Sequence, residues 1–206
     1  MKRMISVLLS FLMALCVSSA TYAAVSDDGD ATQVVENAVS AIDRHDWDTF
    51  INLQCLDNQN DFKAFLKSDA NRSNYLGLFN IKSAKIKETK QLPIQSVGMY
   101  TDISSYEEKY QGLKVYLIGI DYDVFEENQY YFEGVNYRLV VVGKENSDWR
   151  IVEAQDAPIE SLIPAGYGFG SRDEQKSLKI EYAKRNGLFI DSKGNTIKTN
   201  SSKLTS

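Results

Sequence analysis

Histidine and cysteine are nearly missing from this 206-residue chain, which has one of the first and two of the second. A single imidazole, His45, leaves few ways to build a zinc site or a histidine-based triad. Only Cys55 lies beyond the first 20 residues, so no disulfide framework can form within one chain. Basic charge is also short. The net charge is −5 and the pI about 5.0, the reverse of a basic nucleic-acid-binding stripe. After residue 17 no apolar run approaches the ~20 residues that a membrane-crossing helix needs. What the chain does have is 43% hydrophobic and 25% charged residues, enough for one domain with a buried core and too apolar for a disordered chain.

Lys2 and Arg3 give a cationic start, residues 5–17 an apolar run broken only by Ser6 and Ser10, and residues 18–23 a stretch of mostly small residues. That order matches a secretory signal peptide, cleaved after Ala23 or Ala20, and predicts a secreted or extracytoplasmic protein of the cell envelope. Cys16 sits inside the apolar run behind Leu15, where a lipoprotein signal requires a small residue, so lipidation is not expected. Cys55 lies in an apolar helical stretch and is expected to be buried, the alternatives being a bond to another chain or a nucleophile served by His45.

A polar lead-in (24–30) precedes the domain. Asp30 and Gln33 read as a capping box, and Ala31, Val34, Val35, Ala38, Val39, Ala41 and Ile42 recur at helical spacing up to about Arg44. Asp46 opens a second helix carrying Trp47, Phe50, Ile51 and Leu53, and a third is predicted over 58–68 with Phe62, Phe65 and Leu66 inward. Residues 81–92 read as a strand with a lysine-rich wet face. In 94–112, Ser105 and Glu108 fit a helical turn, while Tyr106 and Tyr110 fit an edge strand. Strands are predicted over 113–124, 130–142 and 149–154, with short turns that imply antiparallel pairing. On the first of these, Tyr116, Ile118, Ile120, Tyr122 and Val124 share one side and Leu113, Val115 and Leu117 the other, so both faces should be partly buried. Helices followed by strands give an α+β fold with the helices on one face of the sheet.

Pro158, Pro164 and the glycines 166, 168 and 170 mark a linker over 158–170. Beyond it, Ser171 and Glu174 cap a helix that ends near Asn186, a small hairpin fits 188–197, and the last eight or so residues carry no ordering signal. Residues 24–170 hold 13 basic and 24 acidic side chains, a net of −11, whereas residues 171–206 hold 8 and 4, a net of +4. Such a basic end can dock on its own acidic body, reach an anionic wall polymer or lipid, or simply be a solvated helix face.

Residues 38–50, Ala-Val-Ser-Ala-Ile-Asp-Arg-His-Asp-Trp-Asp-Thr-Phe, end a helix at a polar turn followed by aspartate and an aromatic. Together with residues 133–139 and the closing Asp148, Trp149, Arg150, Ile151 and Val152, they resemble the NTF2-like (cystatin-like, SnoaL-like) superfamily over residues 31–157. The resemblance implies a cone: helices packed on a strongly curved antiparallel sheet, a pocket at the open end, and in many members a sheet-face homodimer. It does not choose an activity, because the superfamily holds isomerases, dehydratases and non-catalytic modules alike.

Asp121 and Asp123, with nearby phenols, form the candidate catalytic pair, but they precede the acidic turn Glu126, Glu127 and Asn128, and exit of the strand into solvent accounts for them equally. The same oxygens lack the spacing and glycine of a calcium loop, so no metal is assigned. His45 at a helix end fits a local capping role. The glycines 166, 168 and 170 match no phosphate-binding fingerprint, and no cofactor is implied. Tyr106, Tyr116, Tyr122, Tyr130, Tyr131 and Tyr137 are the candidate ligand or partner surface, an aromatic core being the competing reading. The leading functional expectation is an exported, non-catalytic module binding a protein or a small apolar ligand. The alternatives are a SnoaL-type isomerase or dehydratase and, more weakly, an assembly factor for wall or sporulation structures.

Overall fold

Alanine and valine at three- and four-residue spacing make the first helix, α1 (Asp27–Asp43), in the computed structural model, which describes residues 27–197. The leader with Cys16 and the C-terminal residues from 198 lie outside the described residues. Helix α1 starts before Asp30, so the expected capping box falls inside the helix rather than at its end. It buries Ala31, Val35, Ala38, Val39, Ala41 and Ile42. His45, in left-handed conformation (φ 53°), turns the chain, and its ring nitrogen donates to the Ile81 carbonyl at 2.9 Å. The Asp46 carboxylate then accepts the Thr49 amide (3.1 Å) to open α2 (Trp47–Asn52). Next come α3 (Leu56–Leu66) and α4 (Asp69–Ser73). The latter was not expected: four of its five residues are polar and none is buried, so no periodicity announces it, and Ser68 nucleates it by capping.

The sheet is four-stranded and antiparallel in the order β1 (Ile81–Leu92), β2 (Leu113–Val124), β3 (Gly134–Glu145), β4 (Asp148–Asp156). Of the two readings of 94–112, the helical one holds: α5 spans Ile103–Lys109, capped by Asp102 rather than Ser105. Strand β3 begins at Gly134 and not at 130, because the Asn128 side chain takes up the Tyr130 and Tyr131 amides (2.9 and 3.1 Å) and holds them in a loop. On the outer edge of β4, Ile151 exchanges hydrogen bonds with Leu53 and Cys55 (2.9 and 2.8 Å), which covers part of a strand edge that would otherwise invite pairing with other chains.

The N-terminal helices pack on one face of the curved sheet, and the opposite face is covered as well. Tyr116, Ile118, Ile120, Tyr122 and Val124 of β2 join α1, α2 and Phe79 in one apolar cluster. Val115 and Leu117 join Leu139, Val141, Ile103, Ile159 and Leu162 in a second. Each fully buried aliphatic side chain contributes about 1.5–3 kcal/mol, so both layers hold the sheet.

The second layer includes the C-terminal segment. Helices α6 (Ile159–Leu162) and α7 (Arg172–Arg185) flank the glycine-rich stretch. In α7, Ile180 and Ser177 are buried, and the Ser177 hydroxyl donates to the Val135 carbonyl. Glu174 is fully buried, yet its carboxylate is satisfied by the Phe169 and Gly170 amides, each at 2.8 Å. Lys90 donates to the Tyr167 and Gly168 carbonyls. The stretch read as a linker is therefore pinned at both ends. A single antiparallel bridge, Ile190 to Thr196, is what forms of the expected hairpin. No helix among the described residues is long and apolar enough to cross a membrane.

Candidate functional site

Short side chains on the inner side of α1 and mid-sized ones on β2 and β3 do not meet across the space between them. Val35, Ala38, Val39 and Ile42 line one wall of the resulting cavity of about 800 Å3, and Ile118, Ile120 and Val140 line the opposite one. Phe50 of α2 and Phe62 and Phe65 of α3 close the sides, and Ile151 of β4 completes the apolar lining. Such a volume lies within the range of small-molecule pockets, which are mostly apolar with a few placed polar groups.

Two polar margins flank this apolar interior. At the first, Arg138 of β3 lies beside Tyr122 and Tyr131. Its guanidinium pairs with Asp156, donates to the Tyr130 carbonyl at 2.8 Å and sits 5.1 Å over the Tyr131 ring. The Tyr122 and Tyr131 rings meet edge to face, with centroids 5.6 Å apart. Burial pushes the Tyr122 phenol up to about 12, with Arg138 acting in the opposite direction, so it remains a neutral hydroxyl at any ordinary pH. Lys184 of α7 also bonds Asp156, at 2.7 Å. At the second margin, Glu153 accepts hydrogen bonds from Thr101 and, at 3.4 Å, from Tyr106. Burial and then the Glu153 charge raise the Tyr106 phenol above its ordinary value. Asn58 and Asp61 of α3 complete this margin.

The structure brings together three of the six tyrosines singled out from sequence: Tyr106, Tyr122 and Tyr131 line the cavity. Tyr116 and Tyr137 are instead buried in the two apolar layers, on opposite faces of the sheet. Tyr116 accepts from Thr32 (3.2 Å), and Tyr137 donates to Glu88. Tyr130 is exposed and contributes its carbonyl. Asp121 and Asp123 do not line the cavity. They sit in solvent-accessible ion pairs with Lys87 (3.4 Å) and Lys82 (3.1 Å). Glu127 accepts from the amide and hydroxyl of Ser192, so the acidic turn spends a carboxylate on the C-terminal segment. No cluster of metal-ligating side chains occurs among the described residues. Cys55 is buried and carries no disulfide, while His45 is engaged by β1 and its ring lies tilted beside Trp47, with centroids 5.5 Å apart.

The residue that sequence reasoning passed over is Arg138. It shares its strand side with Val140 and Val142, both of which face the helices. A cation sharing a strand side with two valines was the available signal, although Asn136 on the same side lets it pass for a polar face. Neither histidine nor cysteine occurs among the residues lining the cavity. The arrangement is suited to holding an apolar molecule and orienting its polar end.

No protein-family model matches the chain, and no curated protein matches it significantly. Function therefore has to be read from the cavity itself.

Proposed function

We propose that this protein is an exported, non-catalytic module of the NTF2-like type that binds a small apolar ligand between its N-terminal helices and its sheet. The observation that carries the reading is the cavity of about 800 Å3, lined by aliphatic and phenyl side chains and polar only at two margins. The signal-like order of residues 1–23 supports export, and the polar turn at residues 43–48 supports the superfamily resemblance. A SnoaL-type enzyme would need a pocket carboxylate poised to move a proton; of the two in the lining, Asp61 is exposed, and one Glu153 oxygen accepts from both the Thr101 and the Tyr106 hydroxyl. The assembly-factor reading relied on a basic end reaching an outside polymer. Lys184 instead pairs with Asp156, and Arg185 with Glu160, which favours docking on the protein's own acidic body.

The test is titration with a neutral fluorescent probe, N-phenyl-1-naphthylamine, against the mature protein and against Ile118→Trp, which fills the space from the sheet side. Saturable binding to the wild type that weakens at least tenfold in the variant is expected. No saturable binding, or equal binding by a folded Ile118→Trp, would sink the proposal.

A further inference from the structure

We infer that the cavity takes an amphipathic ligand, an apolar chain ending in an anionic head group, and that Arg138 anchors the head. This rests on the reading of the cavity as a ligand site and adds the class of ligand. Arg138 is the single cation among the residues lining the cavity. The two acidic residues in that lining belong to the other margin: Asp61 is exposed on α3, and the Glu153 charge is engaged by two hydroxyls. An apolar chain lying between Ile118, Ile120 and Val140 on one side and α1 on the other is thus offered one positive end and one negative end. An anion is drawn to the first and repelled by the second.

Asp156 does not cancel the charge of Arg138 as a dedicated partner would. Its carboxylate is shared with Lys184, approaching at 2.7 Å from α7, and Lys184 in turn faces Glu181 at 3.5 Å. These four groups sum to zero, but they are strung out from the cavity to the C-terminal helix, with the guanidinium as the member at the cavity. Its side chain is only 15% exposed, so a charge placed beside it is screened little by water. A guanidinium has five N–H donors in a planar fork, of which Asp156 and the Tyr130 carbonyl use part, and that fork matches the paired oxygens of a carboxylate or phosphate. Tyr122 adds a second donor. It lines the cavity with Arg138, and burial keeps its hydroxyl protonated, so that hydrogen is available to the same anion.

Displacement of N-phenyl-1-naphthylamine by decanoate, decyl phosphate and 1-decanol tests this at neutral pH. The alcohol is the more lipophilic of these ligands of equal chain length, so hydrophobicity alone favours it. The wild type is expected to prefer both anions to the alcohol at least tenfold. In Arg138→Gln that preference should vanish, with each anion compared with the alcohol in the same variant. If decanol competes as well as the anions in the wild type, or if the preference survives in a folded Arg138→Gln, the inference is wrong. Should Arg138→Gln fail to fold, Tyr122→Phe decides: a preference reduced at least threefold supports the anchor, and an unchanged one overturns it. Failure of the neutral probe to bind the wild type sinks the cavity reading itself, which separates the two outcomes. A preference for one anion over the other identifies the head group as a carboxylate or a phosphate.

Discussion

On one face of the sheet, a methyl group added at Gly143 would lie 2.8 Å from the Tyr110 ring and 3.0 Å from Val152, whereas on the other face about 800 Å3 between α1 and β2 is unfilled. Gly119 repeats the pattern on the dense face, where an added methyl would meet Tyr137 at 2.9 Å and Val135 at 3.0 Å. The dense face also carries its polar groups in closed sets: Glu174 with two backbone amides, Tyr137 with Glu88, and Lys90 with two carbonyls. On the hollow face, polar groups such as Arg138 and Tyr122 stand at the margin of a space. One face supplies the stability that allows the other to remain incompletely packed, because a cavity forfeits contacts that must be made good elsewhere.

The largest expected effect breaks this contrast from the dense side. Gly143→Ala forces its methyl against the root of the Tyr110 side chain, which cannot swing away as a flexible tip would, and should cost about 2–3 kcal/mol in urea unfolding. Val140→Ile, on the hollow side, adds one methyl toward open space and should change stability by less than about 0.5 kcal/mol. Equal costs at the two positions would mean that the faces are not packed differently.

A smaller effect appears with alkali. The Tyr122 phenol is held at about 12 against an ordinary 10.0, so the folded state favours its protonated form. The stability this gives is whole below pH 10 and drains away as the pH climbs toward 12, because the unfolded chain loses the proton first. By pH 11 the loss from this one group is about 1.4 kcal/mol. Tyr122→Phe should flatten the alkaline limb of a stability-versus-pH curve by that amount. An unaltered limb would show that the phenol is not shielded at the cavity's margin.

Much of this contrast can be read in residue order. The alternation of Tyr116 to Val124 against Leu113 to Leu117 announces a strand buried on both sides, and the valines of α1 announce the helix facing it. The order of helices before strands gives the α+β class for the same reason. The hollow itself is not legible. Whether Ala38 and Ile118 touch or leave a gap depends on how far α1 stands from the sheet, a distance that no periodicity encodes. The site residues divide along that line. Tyr122 and Tyr131 are recognisable as aromatic and well placed, but Tyr116 looks identical in pattern and turns out to be core. Asp121 and Asp123 attract notice as paired carboxylates on a strand, yet their strand side leads to Lys87 and Lys82 in solvent. Helix α4 escaped notice because capping, not burial, makes it.

The smallest effect concerns the side wall of the hollow face. The Asp46 carboxylate lies below its ordinary value because it accepts hydrogen bonds from Thr49, and it is these bonds that start α2, the helix that carries Phe50 into the cavity wall. A lowered folded-state value means that the associated stability is present above the ordinary carboxylate range, near 3.8, and is lost as the pH falls through the lower folded value. Asp46→Asn keeps an oxygen that can cap but has no charge to titrate. The variant should therefore be slightly less stable than wild type at pH 7, with the gap closing as the pH is lowered from 5 to 2. Amide exchange locates the effect: faster exchange should be confined to α2 and its neighbours on the hollow face, with α7 as protected as before. If α7 loosened equally, the two faces would be opening as one unit, and the dense layer could not be what holds the sheet while the cavity stays open.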